Sequence, residues 1–244
     1  MRTVMDARSG MLHYHPHLRA LPLSLQAVRG WDRSMPGERK FPVSILIARA
    51  IAGRLLERKL PRYAAAVLLS FDCLLRPKEA VNLKFGDCYK TPAGWYIAMK
   101  GRDKTRTQAT ILCDDRHAVR VLEGWAASGA KSTDRLVTRT YEAYFKAFKE
   151  ATVHLGLQEF TFSPHGLRHG GAVDRVFCRN QAKASVKAHG RWKAQESFNN
   201  YLEIAKANEL DVNVSKTIKD KLYDKALRLA QQSKYWKRSF LQYK

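Results

Sequence analysis

Ser163-Pro164-His165-Gly166-Leu167-Arg168-His169-Gly170 is the stretch on which the reading of this chain turns, with Gly190-Arg191-Trp192 and Tyr201 following downstream. Ser163 then Pro164 marks a helix start, a capping residue ahead of a proline at the first helical position. On that helix His165 and Arg168 lie one turn apart, so both side chains point the same way. Arg168 offers a planar fork that matches two phosphate oxygens. His165 can hold or accept a proton near neutral pH. Tyr201, one helix later, brings a hydroxyl that becomes a nucleophile once its proton is drawn off. In a chain of net charge +22, these parts imply chemistry on a phosphodiester.

The charge supports that implication independently. The 244 residues hold 44 Lys+Arg against 22 Asp+Glu, an excess that implies a polyanionic partner, most simply nucleic acid. A hydrophobic share of 45% is that of a soluble globular protein of one large or two small domains. Cys73, Cys88, Cys113 and Cys178 form no CxxC pair, so neither a zinc site nor a disulfide framework is indicated. Their apolar or strand-like surroundings read as reduced core thiols. No apolar run reaches the length of a membrane span, and the first residues lack the apolar stretch of a secretory signal. The expectation is an intracellular, DNA-associated protein, nuclear in a eukaryote and cytoplasmic or nucleoid-bound in a prokaryote.

Hydrophobic patterning predicts a mainly α protein with a small antiparallel β-hairpin. Ile47, Ile51 and Leu55 form one apolar stripe. Pro61 sits where a second helix starts, and the run Ala64–Leu75 is nearly all apolar, which implies that it is buried. Pro77 starts a short helix through Leu83. Trp95–Met99 and Gln108–Cys113 read as strands joined by a hairpin loop over 100–107. Asp114 or Asp115 caps a helix to Ala127. Further helices are expected over Thr140–Leu155, Ala182–Ala188, Ser197–Ala207 and, in the tail, along Ile218, Leu222, Ala226 and Leu229. Gly170-Gly171 gives room for close packing or a kink. In the head, a short helix is expected from Leu23 to Trp31. His13, His15 and His17 flank Pro16 without a nearby carboxylate or cysteine, and read as part of an irregular basic segment.

The upstream half adds two further cations. Leu74-Leu75-Arg76-Pro77-Lys78-Glu79-Ala80 supplies an arginine after the apolar helix, and Gly101-Arg102-Asp103-Lys104-Thr105 supplies a lysine at the hairpin tip. The order Arg76, Lys104, His165, Arg168, Trp192, Tyr201 resembles the tyrosine recombinases, the phage integrase family, whose catalytic kit type IB topoisomerases share. The resemblance runs from about residue 40 to 205 and rests on the joint order of short motifs. It implies an integrase-like catalytic core over 41–210, preceded by a basic segment (1–40) and followed by a basic helical tail (211–244). Members of the family carry a helical DNA-clamping domain of roughly a hundred residues ahead of the core. Only about 40 residues precede the core here, which leaves three expectations: a fragment, a shortened member in which 1–40 is a remnant of that domain, or clamping supplied from elsewhere. The tail helix is expected to dock on a neighbouring subunit, on its own domain or along DNA.

The resemblance also implies roles. Arg76 and Arg168 clamp the phosphate, Tyr201 attacks to form a 3′-phosphotyrosyl link, His165 handles its proton or holds a phosphate oxygen, and Lys104 protonates the departing 5′ oxygen. Trp192 stands where many members carry histidine; its indole N–H can still donate to phosphate. His189 is the alternative there, and Lys100 the alternative to Lys104. Glu79, one turn from Arg76, matches an acidic residue that supports the site. Arg102, Arg106, Arg191 and Lys193 are expected DNA contacts. No metal or other cofactor is expected, because arginines supply the positive charge. The partner is double-stranded DNA, with a dimer or tetramer of the chain assembled on it. The reading is a site-specific recombinase or integrase of a mobile element. A topoisomerase IB-like nicking-closing enzyme and a non-enzymatic DNA-binding remnant are the alternatives.

Each residue alone has a plainer reading. Arg76 is otherwise a solvated or ion-paired arginine, Lys104 a basic loop residue, and Tyr201 a core aromatic beside Leu202. His169 reads as structural, facing away from Arg168.

Overall fold

Prolines and short polar side chains set the helix starts. Ser44 accepts the Ile47 N–H and opens α1 (Ile45–Glu57). Pro61 stands at the start of α2 (Pro61–Asp72), and Pro77 at the start of α3 (Pro77–Asn82). Asp115 caps α4 (Arg116–Ala127) by accepting from His117 and Ala118, and Thr140 caps α5 (Tyr141–His154). Ser163 occupies the N-cap position of α6 (Pro164–Val173), but its hydroxyl makes no capping bond; its carbonyl takes the Gly166 N–H instead. A single π turn, Asp174–Cys178, prolongs α6. Then come α7 (Lys183–Gly190), α8 (Gln195–Leu202), α9 (Lys216–Gln232) and α10 (Trp236–Gln242).

The protein is seen in a computed structural model that describes residues 41–99, 109–193, 195–202, 214–232 and 236–242, with only the backbone at 196, 197, 200, 201, 232 and 242. These residues lie within one unit, Lys40–Lys244. The expected hairpin is part of a three-stranded antiparallel sheet, ordered β1 (Cys88–Thr91), β2 (Gly94–Met99) and β3 (Ala109–Cys113). The register pairs Cys88 with Ile97 and Ile97 with Ile111, so one face of the sheet buries these three residues. The mainly helical fold with a small antiparallel sheet is the one the sequence implies.

The core forms around α2, whose residues Tyr63–Asp72 are all buried. On it pack α1 through Ile47, Ile51 and Leu55, and α5 through Tyr144 and Phe148. The close contact of α6 with its neighbours depends on Gly170 and Gly171: a Cβ at either would collide with the backbone of Val43 or Phe71. A second, smaller cluster joins Leu74, Ala172, Val176, Val186, Trp192, Phe198 and Leu202. It fastens α7 and α8 to α6 and lies directly under the candidate site.

The tail packs on its own domain. Leu222 and Leu229 of α9, and Trp236 and Phe240 of α10, belong to the main core. Of the four cysteines, Cys73, Cys88 and Cys113 are buried as expected. Cys178 is exposed, because the π turn carries it and Phe177 to the surface.

Candidate active site

Two short connections meet around Arg168. The first, Cys73–Arg76, joins α2 to α3, and Leu74 in it adopts a left-handed backbone (φ 49°). The second, Gly190-Arg191-Trp192, joins α7 to α8, and Arg191 is left-handed too (φ 60°, ψ 40°). Non-glycine residues seldom take this conformation, and it costs free energy wherever they do. The Arg168 guanidinium donates from Nη1 to the Leu74 carbonyl and from Nη2 to the Gly190 carbonyl, tying the two connections together. The Trp192 ring covers it, with Cζ 4.3 Å from the ring centroid, a cation–π contact. Arg168 is thereby enclosed, with 1% of its surface exposed.

Gly190 is required for that cover. A Cβ at position 190 would fall inside the Trp192 ring. Phe198 of α8 packs tilted against the indole, with ring centroids 5.2 Å apart.

Beside this pair, Glu79 gathers two arginines. Its carboxylate accepts the Arg76 backbone N–H at 2.7 Å and Arg76 Nη1 at 2.9 Å. It also accepts Arg191 Nη1 at 3.1 Å and Nη2 at 2.9 Å, a fork-to-fork pairing. Arg191 Nη2 reaches the Leu74 carbonyl as well, at 3.3 Å, so one carbonyl serves both Arg168 and Arg191. Burial would raise the Glu79 carboxyl; Arg191 and then Arg76 outweigh it and hold the group below the usual carboxylate range. Glu79 is ionised at neutral pH, and the Arg76–Glu79–Arg191 trio carries a net charge of about +1. Arg76 is the open member, its side chain 51% exposed.

The helix α6 presents His165, half-buried, with His169 one turn on. Their rings meet edge to face, centroids 4.8 Å apart. His169 thus touches His165 rather than facing elsewhere, as the i, i+4 spacing allows.

A groove of 580 Å³ opens alongside, lined by Lys183, Lys187, Arg191, Trp192, Lys193 and Gln195. Its cations make it attractive to a polyanion. A larger groove of 820 Å³ lies elsewhere, between α1 and α5. There Arg54 and Arg58 are paired with Glu57 and Glu150.

Behind the site, a second arginine network braces the same loop. Asp72 is almost wholly buried and pairs with Arg175 at 2.9 Å and Arg179 at 3.3 Å, and Asp114 pairs with both as well. The second Asp72 oxygen accepts the backbone N–H groups of Asp114 and Asp115. Burial pushes the Asp72 carboxyl up; at Asp114 burial is outweighed by a hydrogen bond with Asp72 and then by Arg175 and Arg179, which hold that carboxyl down. Cys73 and Cys113 bring their sulfurs within 4.8 Å of an Asp72 oxygen. Their mutual hydrogen bond and then burial raise the Cys113 thiol, and at Cys73 that bond is outweighed by burial and the Asp72 charge, so both stay protonated; the carboxylate is already engaged. His189 belongs to this network: its Nε2 lies 3.2 Å from the Asp72 carbonyl. Burial pushes its imidazole down to about 4, so it is neutral at pH 7.

No profile of a known protein family matches the sequence, and no curated protein matches it. Solved structures do match the fold. The XerH site-specific recombinase, bound to its difH substrate in a pre-cleavage complex, superposes with a TM-score of 0.53 at 16% identity, over 66% of this chain and 50% of XerH. The XerA recombinase superposes with a TM-score of 0.52 at 15% identity, over 91% of this chain and 82% of XerA. The fold is that of a tyrosine recombinase catalytic domain. The match to XerH spans half of that protein's length.

Within the recombinase fold, Arg76, Glu79, Arg168, Arg191 and Trp192 come together, drawn from two stretches of the sequence, 76–79 and 168–192. Lys193 is exposed on the rim of the neighbouring groove. His189 joins the Asp72 network, while Trp192 covers Arg168. Position 201 lies in α8, whose Phe198 and Leu202 anchor it in the cluster under the site. The Tyr201 ring lies outside the described residues, as do Lys100, Arg102, Lys104, Arg106 and the head segment. Sequence reading missed Asp72, Asp114, Arg175 and Arg179. One signal was present: Asp72 interrupts an apolar helix, and a buried carboxylate needs a cationic partner.

Proposed function

We propose that this chain cleaves and rejoins DNA strands as a site-specific recombinase, through a 3′-phosphotyrosyl intermediate on Tyr201. The convergence of three guanidiniums on one carboxylate and one indole, at the edge of a basic groove, is the observation that carries this reading. Charge gathered there stabilises the oxygens of a phosphodiester under attack. Tyr201 Oη bonds to phosphorus as the bond to the 5′ oxygen breaks. The phenolic proton passes to His165, and Lys104 gives a proton to the departing oxygen. The reverse sequence reseals the strand, so no external energy source is consumed. The chain acts as a homo-oligomer on paired sites, in the integration of a mobile element.

Arg76 is open to such a phosphate. Arg168 must first exchange its carbonyl partners for phosphate oxygens, which requires the Trp192 ring to move aside. The enclosure of Arg168 favours a second reading, a DNA-binding remnant in which Arg168 only braces the fold.

A pool of nicked duplexes of randomised sequence, with covalent products resolved on a denaturing gel, separates the two. The recombinase reading predicts a protein–DNA adduct that is lost in Tyr201→Phe and in Arg168→Lys, the latter keeping the charge but not the fork. Binding without adduct supports the remnant. An adduct that persists in Tyr201→Phe moves the nucleophile elsewhere.

A further inference from the structure

We propose that Arg191 is a positioning residue that acts through Glu79 on Arg76. This rests on the strand-cleavage reading above and adds a member to its site. Arg191 takes a left-handed backbone at φ 60°. It follows the last residue of α7, the place where glycine is the usual occupant because it takes this conformation without strain. The chain keeps an arginine there, at a cost in backbone free energy. What the position gains is the guanidinium. It lies 15% exposed, forked on Glu79 at 2.9 and 3.1 Å, with a third bond to the Leu74 carbonyl.

The electrostatic consequence concerns Arg76. A single carboxylate faces two guanidiniums. With Arg191 in place, Glu79 is neutralised from one side and fixed by its bond to the Arg76 N–H, and Arg76 retains charge for a phosphate. Without Arg191, Glu79 and Arg76 form a closed pair of no net charge, and the half-exposed guanidinium is held back on its own helix start. Arg191 also shares the Leu74 carbonyl with Arg168, so its loss loosens the loop that carries Arg76. Its hydrogen bonds run to protein acceptors, the Glu79 carboxylate and the Leu74 carbonyl.

The test uses Arg191→Gly, which removes the side chain and suits the left-handed backbone, and Arg191→Asn, since asparagine also tolerates it. Both are made in the unaltered chain and in Glu79→Gln. Adduct formation on the randomised nicked duplexes is timed at saturating DNA, alongside melting temperature and the salt dependence of binding to plain duplex. The expected result is a loss of about tenfold or more in adduct rate in the unaltered background, with a melting temperature unchanged or raised. In Glu79→Gln the further loss shrinks to about threefold or less, because the charge that Arg191 offsets is gone. The slope of log affinity against log salt stays unchanged. Equal losses in both backgrounds, an unchanged rate, or a slope reduced by about one, the mark of a direct phosphate contact, overturns the proposal. A lower melting temperature in both variants, with loss of rate in proportion, makes Arg191 a fold residue only and likewise overturns it. No adduct from the unaltered chain overturns the cleavage reading itself, an outcome distinct from all of these.

Discussion

At the scale of single residues, the site depends on tight contacts that small changes disturb. Gly190→Ala forces the Trp192 ring off Arg168, an overpacking expected to cost about 1–3 kcal/mol in chemical denaturation. His189 gives the protein an acid sensitivity of a defined sign. Its imidazole titrates near 4 when folded, below the ordinary 6.5. Between those values the unfolded chain takes up a proton that the folded chain refuses. The stability it contributes is complete above pH 6.5 and is lost as pH falls toward 4. The drop in stability from pH 7 to pH 5 is therefore expected to be smaller in His189→Gln, by about 1–2 kcal/mol, when both proteins are unfolded in urea at the two pH values. Some of this was legible in the sequence and some was not. Glu79 is one turn from Arg76, and helical spacing discloses that pair. Arg191 reaches the same carboxylate from 112 residues away, and no local pattern predicts such a meeting. The same holds for Asp72 and Arg175, 103 residues apart.

Among the elements, those with a strong apolar period were readable. The stripe on α1 and the nearly all-apolar run of α2 appear where the patterning puts them, because burial decides them. The first strand was not foreseen. Tyr89 and Lys90 in β1 are exposed, so Cys88–Thr91 offers one buried side chain and no alternation to detect. The π turn after α6, Asp174–Cys178, was not foreseen either. The tail was ambiguous because α9 is amphipathic with a basic outer face, which suits a partner, DNA or its own domain. The structure places it on its own domain. Trp236 of α10 is 2% exposed in the main core. Trp236→Ala is accordingly expected to lower unfolding free energy by about 3–5 kcal/mol in the isolated protein, measured by calorimetry or denaturant titration. A helix that docks only on a partner would leave the isolated chain's stability unchanged.

For the whole molecule, charge and fold agree with the proposed action on DNA. A net charge of +22 implies a polyanion partner, and the recombinase fold sets a basic groove of 580 Å³ beside three converging arginines. The central claim is that one tyrosine of the ten becomes esterified to a DNA strand. The most direct measurement is peptide mapping by mass spectrometry of the covalent adduct after nuclease trimming. The account predicts a nucleotide remnant on the α8 peptide that contains Tyr201, with nothing on the tail peptides of Tyr223, Tyr235 and Tyr243. A remnant on any other tyrosine, or DNA binding that yields no covalent species under any condition of salt and incubation, would contradict it.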